Sequence, residues 1–483
     1  MSADGVPVAG LDGSPVVLPA DDLARLAAGV DGPVLRAGDP GWDEAVQLWN
    51  GMVAGRPALM AQPATAAGVA AAVRFAAEHR LLLGVKGGGH NIAGTGLAPG
   101  GLTLDMSRMR QVTVDPAAMR AHAGAGCLLR DVDAATQAHG LATPLGFISG
   151  VGIAGLTLGG GLGYLTRRFG WAVDNLDEVE IVTADGEVRT ASRTHHDDLF
   201  WGLRGAGANL GVVTRFTYRL HRVGPSVHGG LVAWPFARAD EVLRTYRAVT
   251  AAAPRELTVF VLIFRAPPAP FIPPRWHGER VCAMVVCYSG EPARADDILA
   301  PIRALGEPIT DLIGPQPYTQ VQSYLDDGEP TGAHYYWKTG YLAELSDELL
   351  VTMRELAAGS PLPGGDIGLL HIGGALNEHD PDDGAVGNRD ARYVFGANGM
   401  WQPGDPGADD YRDWIRAAWA QIRPFSTGGN YINFQTADED DERIRATYGV
   451  NFDRLVAVKQ KYDPDNLFRV NRNIVSAAGQ AVS

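Results

Sequence analysis

The stretch GVKGGGHNIAGTGL at residues 84–97 decides how the first half of the chain is interpreted. It follows the apolar run LLL at residues 81–83 and joins three consecutive glycines to His90 and Asn91. Glycine permits positive φ and lets the backbone approach another group closely. Because successive free N–H groups in such a loop form a pocket for an anion, the stretch predicts a phosphate-binding loop with a histidine at its rim.

The composition indicates an acidic globular protein. The chain has 483 residues, of which 46% are hydrophobic and 20% charged, and its formal net charge is −14. This length allows two or three domains, and the charge argues against a nucleic-acid or anionic-membrane partner. Three cysteines without a C-x-x-C pair indicate neither a disulfide framework nor a zinc site, so we expect no metal. We recognise no signal peptide and no membrane-spanning apolar run, and we expect a cytoplasmic protein.

A second glycine-rich stretch, GFISGVGIAGLTLGGGLG, occupies residues 146–163. Neither stretch has the lysine-hydroxyl pair of a phosphate loop, and neither is followed at the required spacing by the acidic residue of the dinucleotide fingerprint. Two such loops in one domain suit the extended pyrophosphate of a dinucleotide, which they would hold from two sides. The alternative is that both stretches are simple tight turns.

The hydrophobic patterning predicts two differently built halves. In the first half, a strand, a helix with Thr65 as its N-cap, a second strand and the first glycine loop follow one another, and short strands come after them. A preceding N-terminal extension, residues 1–55, is expected to hold a helix or two. Long strands separated by helices follow residue 223, and they predict an α+β domain with an antiparallel sheet and helices on one side.

Four ordered segments carry a family resemblance. They begin QPATAAG, VGIAGLT, DDLFWGL and YGVNFDR, and they occupy residues 62–94, 151–176, 197–216 and 448–474. Together they resemble the FAD-linked oxidases of the vanillyl-alcohol-oxidase fold and, within them, the berberine-bridge-enzyme-like group with its bacterial hydroxynicotine-oxidase-type members. The resemblance implies an α+β fold with a PCMH-type two-subdomain FAD-binding domain at 56–223, an antiparallel-sheet substrate domain at 224–435, and a C-terminal segment at 436–483 that returns to the FAD domain.

The resemblance also implies how FAD is held. In the family, the histidine of the G-G-H motif, here His90, is bonded to the 8α-methyl group of FAD. Many relatives have a second bond from a cysteine, but Ile148 stands at that position, so we expect a single bond. The remaining expected FAD contacts are Lys86, Gly87, Gly88, Gly89, Asn91, Gly94, Gly146, Ser149, Val151, Gly152, Ile153, Gly155, Gly159, Gly160, Gly163, Asn209, Gly211, Val212, Val213, Asn471 and Asn473.

The implied activity is that of an oxidase. Such an enzyme takes a hydride from a C–H bond next to oxygen or nitrogen of a small molecule, such as a secondary metabolite, and passes the electrons to molecular oxygen to give hydrogen peroxide. Val151 occupies the position that lines the oxygen side of the flavin in the family, where small residues are associated with oxidases. Two alternatives keep the flavin: an oxygenase of the enterocin type and a dehydrogenase with another electron acceptor. A flavin-binding sensor without turnover is less compatible with the complete C-terminal segment.

The catalytic base is the point at which the chain departs from the family. Relatives often use a tyrosine from a Tyr-x-Asn-Tyr motif, which here reads YINF at residues 431–434. If this segment is a strand, Tyr431 and Asn433 share one face, and we expect both to be catalytic. A phenol with a pKa of about 10 needs help to act as a base at neutral pH. The expected substrate contacts on neighbouring strands are Tyr336, His371 and Asn398, in a largely apolar site with few ionisable groups.

Overall fold

The computed structural model describes residues 5–475. The strands of the first half are β1 (Val6–Ala9), β2 (Pro15–Leu18), β3 (Val34–Leu35), β4 (Leu59–Ala61), β5 (Leu83–Lys86), β6 (Leu102–Asp105), β7 (Val112–Asp115), β8 (Arg120–Gly124), β9 (Leu141–Ala142), β10 (Leu176–Val182), β11 (Val188–Ser192), β12 (Val212–Arg219) and β13 (His221–Arg222). Its helices are α1 (Ala20–Gly29), α2 (Trp42–Ala45), α3 (Ala66–Glu78), α4 (Leu129–Gln137), α5 (Ile153–Leu158), α6 (Thr166–Phe169) and α7 (Asp197–Leu203).

Two sheets organise the first half. One has the order β3-β4-β6-β5, in which β6 pairs in parallel with both β4 and β5. The other has the order β11-β10-β12-β8-β7 and is antiparallel. Helix α3 begins after Thr65, whose hydroxyl accepts a hydrogen bond from the Gly68 N–H at 3.2 Å, as the sequence predicts. The α3–β5 unit therefore delivers the chain at Lys86 into the first glycine loop.

The N-terminal residues belong to this half and do not form a separate extension. Strand β3 pairs with β4, β1 and β2 form a hairpin, and Val8 and Leu18 are buried in the core shared with α3. The expectation of a helix or two is met by α1 and α2, but the boundary at residue 55 falls inside one packed unit. A two-residue strand such as β3 has no detectable periodicity, which is why the sequence did not reveal the pairing.

The second half is built on one large antiparallel sheet. Its strands are β14 (Ser226–Pro235), β15 (Leu257–Arg265), β16 (Arg280–Tyr288), β17 (Thr310–Asp311), β18 (Gly314–Pro317), β19 (His334–Leu342), β20 (Gly364–His371) and β21 (Tyr393–Trp401). The strand order is β17-β14-β16-β15-β20-β21-β19, with β18 also paired to β14. The helices are α8 (Ala239–Ala252), α9 (Ala295–Arg303), α10 (Tyr318–Gln322), α11 (Asp347–Gly359), α12 (Ala408–Ile422), α13 (Asp441–Tyr448) and α14 (Phe452–Tyr462).

Helices α8, α9, α11 and α12 share one hydrophobic core with this sheet, as predicted for helices on one side. The opposite face of the sheet is turned towards the first half. Among residues 5–475, none of the helices is both long and apolar enough to cross a membrane.

Buried polar contacts join the two halves. The Arg389 guanidinium donates two hydrogen bonds of 2.7 Å to the Asp174 carboxylate, and both side chains are almost fully buried. The C-terminal segment contacts the first half through the Lys459 ammonium, which donates to the Asn209 carbonyl at 2.8 Å. These contacts fix the sheet of the second half relative to the glycine loops.

Candidate active site

One cavity of about 300 Å³ brings together the segments that the sequence analysis singled out. One side is formed by the first glycine loop and by the second glycine loop with α5. The other walls come from residues 206–209 and 470–472 and from strands β15, β19, β20 and β21. The glycine loops and the large sheet therefore line one common cavity.

The first glycine loop offers unused hydrogen-bond donors to this space. Residues 87–91 line the cavity, and no acceptor within residues 5–475 takes the N–H groups of residues 88–91. Backbone donors in such a position need a partner, and consecutive N–H groups are the arrangement that binds phosphate oxygens. The loop therefore fits the pyrophosphate of FAD.

The two glycine loops touch each other through Gly88 and Gly152. A Cβ atom on either residue would clash with the backbone amide of the other. Glycine is required at both positions because only its lack of a side chain permits this approach. The two loops are therefore packed against each other through these two glycines.

His90 follows the first loop and contributes to the cavity wall. Burial lowers the pKa of His90 to about 4, so that its imidazole is neutral at pH 7. Trp49 stacks on the imidazole, with ring centroids 4.5 Å apart and an interplanar angle of 17°. A neutral imidazole nitrogen has the free lone pair that a bond to carbon requires.

Tyr431 is bound to the second glycine loop. Its hydroxyl accepts hydrogen bonds from the backbone N–H groups of Gly161 at 2.9 Å and Leu162 at 3.3 Å, and from the Asn433 side-chain amide at 2.8 Å. Burial raises its pKa to about 12. Residues Ile432–Phe434 form a 3-10 helix and not the predicted strand. Tyr431 and Asn433 both line the cavity, and these hydrogen bonds also tie them to the second glycine loop. Their catalytic role stays a prediction.

Strand alternation selects which side chains of the large sheet reach the cavity. On β19, Trp337 and Thr339 line it, whereas Tyr336 points to the helix side and donates to Asp438 at 2.7 Å. On β20, Leu370 lines the cavity, whereas His371 stacks on Tyr393. The predicted substrate contacts Tyr336 and His371 are therefore not among the residues that line the cavity, and each stands next to a residue that does.

Asn398 does line the cavity, and it leads to a feature that the sequence analysis missed. Its amide donates a hydrogen bond of 3.1 Å to the Asp366 carboxylate, which also lies in the wall. Burial raises the pKa of Asp366 to about 7. Glu329 lies in the same wall, and burial together with the charge of Asp366 raises its pKa to about 8. The site thus contains two carboxyl groups with unusually high proton affinity.

The site is therefore largely apolar, as expected, but it contains two ionisable carboxyl groups that the sequence analysis did not predict. Phe260, Leu262, Leu370 and Val394 make much of the sheet-side wall apolar. An acidic residue at the start of an otherwise apolar strand was the available signal for Asp366. Glu329 stands in the segment DDGEPTG, which is typical of a solvated loop, and no local pattern marks it.

Comparisons with known proteins decide the family. Residues 57–192 match the FAD binding domain family, and residues 430–475 match the family described as berberine and berberine like. An FAD-linked oxidoreductase of Dictyostelium discoideum is 30% identical over 451 residues, which cover 92% of this chain and 95% of that protein. The chain belongs to the berberine-like FAD-linked oxidoreductases.

Further relatives agree with this family. (R)-6-hydroxynicotine oxidase of Paenarthrobacter nicotinovorans is 30% identical over 458 residues, covering 92% of this chain and 97% of that protein. The crystal structure of 6-hydroxy-D-nicotine oxidase from Arthrobacter nicotinovorans superposes with a TM-score of 0.83 at 28% identity, covering 92% of this chain and 98% of the other. Physcomitrella patens BBE-like 1 gives a TM-score of 0.82 at 26% identity, covering 94% and 99%.

Within this oxidoreductase, the predicted FAD contacts separate into two groups. The residues that line the cavity are Lys86, Gly87, Gly88, Gly89, His90, Asn91, Gly146, Val151, Gly152, Gly155, Asn209 and Asn471. The residues that do not line it are Gly94, Ser149, Ile153, Gly159, Gly160, Gly163, Gly211, Val212, Val213 and Asn473. Several of the second group shape the loops: Ser149 donates to Asp326, and Gly159 packs against Asn433.

None of the three cysteines, all of which the structure describes, lines the cavity. Cys127, Cys282 and Cys287 are all buried and unpaired. Ile148, at the position of the second-bond cysteine in relatives, does line the cavity.

Proposed function

We propose that this protein is an FAD-linked oxidase that removes a hydride from a C–H bond next to oxygen or nitrogen of a small molecule and is reoxidised by molecular oxygen with release of hydrogen peroxide. The observation that carries the proposal is the cavity in which the glycine loops and the Asp366–Glu329 pair share one space. A redox cofactor site and a proton-accepting group are the two parts that such a reaction needs.

Bound FAD supplies a two-electron acceptor for the substrate hydride and a route for those electrons to oxygen. The chain supplies the means of holding it. We propose that His90 forms a single bond to the 8α carbon, that the N–H groups of residues 88–91 bind the pyrophosphate, and that Asn209 and Asn471 border the adenosine side. The neutral state of His90 supports the first of these roles.

Asp366 is the residue that we propose as the proton acceptor. When a hydride leaves a C–H bond next to O–H or N–H, the heteroatom must lose its proton, and a base with a pKa near the working pH removes it best. Asp366 has a pKa of about 7, and the Asn398 amide orients its carboxylate. Glu329, with a pKa of about 8, is mainly protonated at pH 7 and can donate a hydrogen bond to a substrate.

The apolar walls exclude water from this chemistry. Phe260, Leu262 and Leu370 lie on the sheet side of the cavity, and Val151 lies on the side of the second loop. An apolar surrounding is also the reason that the two carboxyl groups bind protons so strongly. We propose that Val151 leaves room for oxygen. The three free cysteines are in keeping with the reducing, cytoplasmic setting that we propose.

Anaerobic mixing with panels of amines, alcohols and sugars tests the function. A substrate bleaches the flavin absorbance, and admission of air then restores it with one hydrogen peroxide per flavin. Peroxide-free reoxidation with incorporation of labelled oxygen into the product would instead identify an oxygenase. Bleaching that air does not reverse would identify a dehydrogenase with another acceptor.

A further inference from the structure

Trp49 connects the proposed flavin-bonding histidine to the rest of the site. Its indole stacks on the His90 imidazole. It also stacks on the Tyr335 ring, with the ring centroids 3.8 Å apart. Its side chain is almost fully buried. Trp49 lies before residue 57, outside both segments that match the family models.

The backbone and indole nitrogen of Trp49 add three further contacts. Its N–H donates to the Gly89 carbonyl at 3.0 Å, so it is fixed to the first glycine loop directly beside His90. Its carbonyl accepts from the Gly332 N–H at 2.8 Å, and its indole N–H donates to the Glu329 carbonyl at 3.1 Å. One residue therefore bridges the glycine loop and the segment that carries Glu329.

Asn50 reinforces the same bridge. Its amide donates to the carbonyls of Ile92 at 2.8 Å and Tyr335 at 3.0 Å, and its side-chain oxygen accepts from the Tyr335 N–H at 3.1 Å. The position of the Trp49 ring is thus determined from both halves of the chain. A ring held in this way limits rotation of the imidazole and covers one of its faces.

We infer that Trp49 is the positioning residue for flavin attachment: it holds the His90 imidazole in the orientation and the dry environment that bonding requires. This inference rests on the proposed covalent bond. In the bonding step, an imidazole nitrogen joins the 8α carbon, one proton leaves each partner, and two electrons remain on the flavin. Oxygen removes those electrons as hydrogen peroxide, which the proposed oxidase activity already provides.

The test compares the covalent fraction of the flavin among purified variants. Trp49→Leu removes the ring, and Trp49→Phe keeps an aromatic face. Trp42→Leu is the matched control, because Trp42 is also buried in the N-terminal segment but makes no ring contact with His90 among the described residues. Total FAD is measured on the native protein, and covalent FAD by fluorescence on a denaturing gel. We expect Trp49→Leu to lower the covalent fraction at least three-fold at equal total FAD, with wild-type values for the other two variants.

The pH dependence of attachment provides a readout that a merely structural role would not change. Without the ring, water reaches the His90 imidazole, and the pKa of His90 rises towards that of a free imidazole. In Trp49→Leu, attachment of added FAD should therefore be slower at pH 5.5 than at pH 8. In the wild-type protein, the two rates should be equal. If Trp49→Leu does not fold, Trp49→Met, which keeps most of the volume without a ring, replaces it.

The outcomes separate this inference from the proposed function. A wild-type protein without covalent flavin refutes the proposed bond and the inference with it. Covalent wild-type flavin together with an unchanged covalent fraction in Trp49→Leu overturns the inference alone. An equal loss in Trp42→Leu also overturns it, because the effect would then belong to the packing of the segment and not to the contact with His90.

Discussion

Replacement of Asp366 by asparagine tests the proposed proton acceptor. Asparagine has nearly the same shape, and its side-chain oxygen can still accept the 3.1 Å hydrogen bond from the Asn398 amide. What it loses is the ability to take a proton. Loss of a general base typically lowers the rate of the chemical step by about 10²–10⁴-fold, which corresponds to about 3–5 kcal/mol in activation free energy.

The pH profile makes this prediction more specific than the rate alone. In wild type, the rate constant of flavin reduction should rise with pH through the pKa of about 7 that Asp366 has in its buried position. At pH 6 roughly a tenth of the Asp366 carboxyl groups are ionised, and at pH 8 roughly nine tenths. Asp366→Asn should abolish this limb. The assay is anaerobic stopped-flow reduction of the flavin by a compound identified in the substrate screen.

Glu329→Gln is the matched control. Burial and the negative charge of Asp366 both raise the pKa of Glu329, to about 8, so ionisation of Asp366 favours the protonated form of Glu329. Its neutral replacement should therefore leave the limb near pH 7 in place. A wild-type rate and an unchanged pH limb in Asp366→Asn would refute the assignment of Asp366 as the base.

The same substitution has a stability consequence with a definite sign. The folded protein binds the Asp366 proton more tightly than the unfolded chain does, so this carboxyl lowers stability progressively as pH rises from about 4 through 7. Asp366→Asn should therefore raise the melting temperature at pH 8 and have a much smaller effect at pH 4. A larger gain at pH 4 would show that the carboxyl is not destabilised by burial.

Three further predictions address the rest of the site. Val151→Leu should slow reoxidation of the reduced flavin by air while leaving its reduction largely intact, as measured by the two half-reactions; an equal effect on both would mean a disturbed substrate pocket. Tyr431→Phe leaves three hydrogen-bond donors without their acceptor and should cost about 1–3 kcal/mol in unfolding free energy, yet preserve the pH limb near 7; loss of that limb would restore Tyr431 as the base. Arg389→Met leaves the buried Asp174 carboxylate without its guanidinium partner and should cost about 3–5 kcal/mol in unfolding free energy, whereas Arg193→Met, at an exposed ion pair, should cost under about 1 kcal/mol; equal losses of unfolding free energy in urea would contradict this prediction.

The parts that sequence predicted best are those with local signals. The Thr65 N-cap, the first glycine loop and the alternation of strands and helices after residue 223 are each encoded within a few residues, and each is present in the structure. The position of His90 in the cavity follows from its place directly after the first loop.

The errors arose where long-range packing decides. Tyr336 and His371 each stand next to a residue that lines the cavity. In an apolar strand that is buried on both faces, the sequence does not show which set of alternate side chains faces the cavity. Residues 431–434 were read as a strand, but the hydrogen bond of Tyr431 to the second glycine loop accompanies a 3-10 turn there. Glu329 lies in a polar loop that only the tertiary fold brings to the cavity.

The attachment of flavin to His90 is the central claim, and peptide mapping of the purified protein tests it most directly. Trypsin cleavage after Lys86 and Arg108 releases the peptide GGGHNIAGTGLAPGGLTLDMSR, which contains His90 as its one histidine. The account predicts that this peptide carries the flavin, that the mass added corresponds to one FAD, and that fragmentation places it on His90, with no flavin on any cysteine peptide. Complete release of the flavin on acid precipitation, or a flavin bonded to a cysteine, would contradict it.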